Sequence, residues 1–129
     1  MKRHWTVRIW EEGHNFDFWH VTHFLAGILM AGLVSYLAIN VWHGFFVSLV
    51  LMIGWEVFET AFGIFETKFN MYFDVIFSVI SFWLVMFLKN NYISITTFNN
   101  IVYWSIVSYV VLVAWGIWAR LNRDKEKNL

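Results

Sequence analysis

The chain contains no cysteine and no proline, and only 14% of its 129 residues are charged. Without cysteine there are no disulfides, thiolate metal sites or cysteine nucleophiles, and the redox compartment is left open. Without proline, any helix here should run without proline kinks. The scarcity of charge argues against a water-soluble domain of this size, which would need more charge to cover its surface. Positive and negative side chains balance to a formal net charge of zero. There is therefore no basic field and no basic, aromatic-interleaved stripe of the kind that engages nucleic acid.

Apolar side chains take the place of charge, at 60% of the residues, with 22% aromatic. Four apolar stretches reach the length of about 20 residues that a bilayer span requires. They run from about Phe18 to Ile39, Gly44 to Phe65, Met71 to Leu88 and Ile101 to Ala119. Nothing reads as short alternating strands, and lipid leaves backbone polar groups unsatisfied outside helices and closed barrels. The expected fold is all-α: one domain, residues 1–129, forming an integral membrane bundle of four transmembrane helices. The first run begins only after Glu11, Glu12 and Asp17, so it is expected to be a retained span and not a signal peptide. Short turns are expected from Asn40 to His43 and from Glu66 to Asn70, and a longer polar loop from Lys89 to Asn100.

Positive residues predict the orientation. Lys2, Arg3 and Arg8 precede the first span, Lys68 lies between the second and third, and Arg120, Arg123, Lys125 and Lys127 follow the fourth. With four spans these eight share one side and only Lys89 falls on the other. That side is expected to be cytoplasmic, with both termini there, in a cell (inner) membrane. Trp19, Trp115 and Trp118 suit the inner boundary, and Trp42 and Tyr92 the outer one. The segment from Met1 to Phe16 reads either as an amphipathic stretch on the membrane surface or as a solvated tail with anchoring tryptophans.

The acids are distributed unevenly. From Ile9 to Thr67 there is no Lys or Arg, yet that stretch holds Glu11, Glu12, Asp17, Glu56, Glu59 and Glu66, and Asp74 follows. Ionisable groups inside spans are expensive and usually face the bundle interior. Glu56, Glu59, Gly63 and Glu66 fall at helical spacing on one face; Asp17, His20, Gly27 and Ala31 share another, with His23 at its edge; Asp74, Ser78 and Ser81 share a third. Depth agrees as well: Asp17, His20, His23, Glu59, Glu66 and Asp74 belong near the cytoplasmic ends of their spans, and Glu56 deeper, about 14 Å above the end of the second span at ~1.5 Å per residue. His43 belongs at the other end. The small residues Gly27, Ala31 and Gly63 would let the backbones approach. Close carboxylates at low dielectric cannot all be ionised, so some must hold protons, pair with histidinium or bind a cation.

His20, His23, Glu56 and Glu59 are the candidate metal ligands, suited to Zn²⁺, Mn²⁺, Fe²⁺ or Mg²⁺. Asp17, Glu59, Asp74 and Ser78 are candidates for holding a ligand or lipid headgroup. If the site is catalytic, His20 is the candidate base and Glu56 the candidate acid. The bland counterparts are interfacial histidines, a neutral Glu56–Glu59 pair tying helices together, capping by Glu66 and Asp74, and serines that serve packing. A divalent metal is the cofactor this donor set favours. Haem is disfavoured, because His20 and His23 share a helix and His43 lies at the far end. Expected partners are membrane lipids, other membrane subunits or further copies of the chain.

The stretch Asp17-Phe-Trp-His20-Val-Thr-His23-Phe-Leu-Ala-Gly27, the element Gly54-Trp-Glu56-Val-Phe-Glu59, and Asp74 with Ser78 and Ser81 together resemble the VanZ-like and YjdF-like small membrane proteins. The resemblance covers roughly Asp17 to Leu84. It implies a helical membrane bundle and a link to the cell envelope; VanZ members are tied to glycopeptide resistance. The chain departs from the pattern where Glu66-Thr67-Lys68 replaces the usual Arg, and where Ser78 and Ser81 replace an expected Asn and Gly. A second likeness is to small prokaryotic lipid kinases, which hold metal–nucleotide with boundary acids; the Asn and Lys of that pattern are missing here. The functions expected are therefore a VanZ-like envelope protein with an acidic/histidine pocket for a lipid headgroup or cation, a metal-dependent lipid-modifying enzyme such as a phosphotransferase, or a non-enzymatic subunit of a membrane complex. Proton or cation conduction is a further option.

Overall fold

The computed structural model describes residues 5–11, 17–64 and 66–127. The expected positions Lys2, Arg3, Glu12 and the stretch up to Phe16 lie outside the described residues, as do the side chains of Lys125 and Lys127. The chain is all-helical: α1 Trp5–Arg8, α2 Trp19–Tyr36, α3 Val41–Ala61, α4 Lys68–Asn91 and α5 Ile95–Lys127. The last four are each long and apolar enough to cross a membrane, with mean hydropathies of 1.2, 1.6, 2.0 and 1.8 over their apolar windows. Large apolar side chains such as Phe46, Val47, Val50, Val110 and Val111 point outward. In water such a surface would aggregate; in lipid it is the ordinary exterior of a bundle. This is the architecture of a multi-pass membrane protein.

Local chemistry sets the helix ends. The Asn40 side chain accepts from the backbone N–H groups of Trp42 and His43 at 3.0 and 3.4 Å and so starts α3. Thr67 does the same for α4, its Oγ1 accepting from Asn70 N at 3.2 Å. Helix α3 stops at Ala61, and Gly63 adopts φ +79°, a left-handed turn in open space. Gly63 is therefore a turn residue, not the packing residue expected from its spacing. The expected longer loop is also short. Helix α4 continues through Asn90 and Asn91, and Ser94 then accepts from Thr97 N at 3.1 Å and opens α5 six residues earlier than hydropathy suggests. A polar residue at a span end does not stop a helix when the next cap lies three residues on.

Helix α2 is the centre of the bundle. It packs most extensively on α4 and also touches α3 and α5, while no Cα of α3 comes within 8 Å of one of α5 among the described residues. The close seam between α2 and α4 depends on Gly27, where an added Cβ would stand 2.1 Å from the Ser78 carbonyl oxygen. Above that seam, Ile28, Ala31 and Val34 of α2 meet Phe82, Val85 and Met86 of α4 and Phe98 of α5. Within the N-terminal segment, Trp10 is buried against the bundle. It sits edge-on to Phe18, Trp19 and Trp115 at centroid distances of 5.0, 4.7 and 5.7 Å. Arg123 donates to its carbonyl at 3.3 Å, and α1 packs on α5.

Candidate functional site

Most of the buried polar side chains gather at the end of the bundle formed by the start of α2, the end of α3 and the start of α4. Buried there are His20, Glu56, Asn70, Asp74, Ser78 and Ser81. Asp74 lies six residues into α4, one side of it turned to α2. Its Oδ1 stands 2.5 Å from His20 Nδ1 and its Oδ2 stands 3.7 Å from His23 Nε2. The other ring nitrogen of His23 is 3.8 Å from Glu56 Oε1. An alternating chain results, Glu56–His23–Asp74–His20, carried by three helices. The His20 ring stacks on Phe77 at 5.4 Å, which holds its plane.

The remaining candidates divide by role. Asp17 precedes α2 and accepts from Trp19 N at 2.9 Å, so one of its oxygens caps the helix. Its other oxygen accepts from Asn70 Nδ2 at 2.7 Å, which ties the entry of α2 to α4. Ser78 donates to the His23 carbonyl at 2.8 Å and Ser81 to the Ser78 carbonyl at 3.0 Å, both serving the α2–α4 seam. Glu66 reaches the cluster by a different route from the one its spacing suggests. It is not on the face of α3, which has ended; the Gly63 turn brings it back. Glu56 is five residues from the end of α3, about 8 Å at ~1.5 Å per residue, and so lies shallower than expected.

Two groups of donors have the spacing of an ion site. Ligand atoms of His23, Glu56 and Asp74 lie within 4.8 Å of one another, and so do those of Glu56, Glu59 and Glu66. Glu56 belongs to both. The four ligands expected from sequence, His20, His23, Glu56 and Glu59, thus do not form one set: His20 is held by Asp74, and Glu59 joins the second group. In the first group, Glu56 Oε1 and Asp74 Oδ2 are buried and have no hydrogen-bond partner among the described residues. Donors at ~2.1 Å from one ion stand no more than ~4.2 Å apart, so the group would close only slightly on a cation. One imidazole and two carboxylates are a donor set suited to Zn²⁺, Mn²⁺ or Fe²⁺.

Beside this cluster is a cleft of about 520 Å³ with α2 as its floor and α3 and α5 as its walls. His23, Glu59 and Glu66 line it, together with Trp55 and Phe58 from α3. Tyr109, Val113, Ile117 and Arg120 line it from α5. Sequence reasoning missed Asn70 and Arg120. Asn70 carried no signal, since its partner Asp17 is distant in the chain. Arg120 did: with Tyr109, Val113 and Ile117 it repeats at helical spacing, but among tail cations it reads as a topology signal only. Lys89, at the opposite end, contacts Ser35 and lies 5.2 Å over the Phe98 ring.

No family model matches the chain, and no curated protein or solved structure does either.

Proposed function

We propose that this is a membrane protein that binds a divalent cation between His23, Glu56 and Asp74, in the cytoplasmic half of a VanZ-like cell-envelope bundle with both termini in the cytosol. The observation that carries the reading is the pair of buried carboxylate oxygens, Glu56 Oε1 and Asp74 Oδ2, without hydrogen-bond partners among the described residues and standing 3.8 and 3.7 Å from the two ring nitrogens of His23. A buried carboxylate is costly unless paired, protonated or coordinated. A cation satisfies both oxygens at once. His20, bonded to the far oxygen of Asp74, orients that ligand as outer partners do in metal sites. The positive residues flanking the spans support the orientation.

The test is metal analysis and calorimetric titration on protein purified in detergent. Wild type should retain metal after dialysis. Glu56→Gln and Asp74→Asn should each weaken binding by more than the ~10–100-fold that loss of an outer hydrogen-bond partner costs, and His20→Ala should fall within that range. His43→Ala, at the opposite end, should bind as wild type does. Metal binding that ignores Glu56→Gln would overturn the proposal.

A metal-dependent lipid phosphotransferase is the second reading, favoured by Arg120, which lines the cleft with Glu59 and Glu66 and offers a positive group for phosphate. It predicts Mg²⁺-dependent nucleotide binding, and absence of such binding removes it.

A further inference from the structure

We propose that the cleft between α3 and α5 is a lateral site for one phospholipid whose headgroup carries a primary ammonium, with Arg120 holding the phosphate and Glu59 and Glu66 the ammonium. This site adjoins the proposed cation site: His23 borders both, and Glu59 and Glu66 stand beside Glu56.

Three observations lead to it. First, among the described residues no Cα of α3 comes within 8 Å of one of α5, and the cleft lies between the two helices over α2. Second, the three walls change character in the same direction. On α3 the lining runs from Leu51 through Trp55 to Glu59, about 12 Å at ~1.5 Å per residue. On α5 it runs from Tyr109, Val113 and Ile117 to Arg120, with the single charge at the base, and on α2 from Met30 to His23. An amphiphile entering from the bilayer meets apolar walls along its chain and charged groups at its head. Third, the base holds both signs of charge, Arg120 with Glu59 and Glu66. A purely anionic headgroup would gain from the arginine and be repelled by two carboxylates. A headgroup with phosphate and ammonium matches all three. Guanidinium recognises phosphate oxygens in a bidentate fashion, and a carboxylate accepts well from an ammonium. Each of the three side chains already has an interaction within the protein, so the headgroup is taken up by exchange.

The cleft, about 520 Å³, has room for a headgroup and the upper part of an acyl chain.

The experiment is native mass spectrometry of the full chain with phosphatidylethanolamine, phosphatidylcholine and phosphatidylglycerol of identical acyl chains, and with the matching diacylglycerol. Phosphatidylethanolamine should be retained in preference to the other three. Arg120→Gln should weaken binding of every phosphate-bearing lipid by ~10-fold or more while leaving diacylglycerol unchanged, and Arg120→Lys, which keeps the charge but not the fork, should restore it only in part. Glu59→Gln with Glu66→Gln should erase the preference for phosphatidylethanolamine over phosphatidylglycerol. The metal content of Arg120→Gln should equal that of wild type, so failure here leaves the cation site standing and failure there leaves this one. Equal or tighter binding of phosphatidylglycerol, indifference to Arg120→Gln, or a lipid-free dimer in place of a lipid-bearing monomer would each overturn the proposal.

Discussion

Asp74 has a histidine on each side of its carboxylate, His20 at 2.5 Å and His23 at 3.7 Å. Full burial makes it sensitive to how it is changed. Asp74→Ala removes one member of a buried pair and leaves His20 without its acceptor, which costs about 3–5 kcal/mol. Asp74→Asn keeps an oxygen for His20 and should cost much less, while still losing the cation. Thermal or SDS-induced unfolding in micelles should therefore rank Asp74→Ala well below Asp74→Asn, and Asp74→Asn a little below wild type. His43→Ala, exposed at the other end, should stay within about 0.5 kcal/mol of wild type. Similar losses for both Asp74 variants would mean that the His20 hydrogen bond is not what holds this end together.

The seam between α2 and α4 decides whether the polar chain forms at all, because His20, His23 and Asp74 meet only if the two backbones come close. Gly27 permits that approach. An added Cβ there would stand 2.0 Å from Ser81 Oγ and 2.1 Å from the Ser78 carbonyl oxygen. The hydroxyl can rotate away; the backbone oxygen cannot. Gly27→Ala should accordingly cost about 1–3 kcal/mol through overpacking and should also lower metal affinity by moving His23 away from Asp74. Gly54→Ala is the comparison, since nothing lies within 4 Å of its added carbon; it should be neutral or slightly stabilising, as alanine suits a helix better than glycine. Unfolding and metal titration of the two variants side by side check both statements. The aromatic dock of Trp10 on Trp19 and Trp115 belongs to the same scale: it ties the N-terminal segment to the start of α2 and the end of α5, the elements that border the base of the cleft.

For the whole molecule, the proposed topology puts His43 and Lys68 on opposite faces of the membrane, with Lys68 cytosolic. Both positions are exposed, and the native chain has no cysteine. A membrane-impermeant maleimide should therefore label His43→Cys in intact cells and Lys68→Cys only after permeabilisation. The reverse pattern would invert the proposed orientation, and labelling of both from one side would overturn the four-span topology. Four spans, their approximate limits and the bias of basic residues could be read from the sequence, because hydrophobic length and flanking charge add up along the chain and need no knowledge of neighbours. The helical faces bearing Glu56 and Glu59, or Asp74 and Ser78, were legible for the same reason, since side-chain period follows from backbone geometry. Other features were decided only in three dimensions. Glu66 reaches Glu56 through a turn made by Gly63 and not along a helix; Asn70 finds Asp17; Arg120 crosses from apparent tail to cleft; and His20 and His23, neighbours in sequence, stand beside different oxygens of one carboxylate. Each depends on the rotation and separation of packed helices, and those are set by which side chains interdigitate at the seam, a property that no single helix carries in its own sequence.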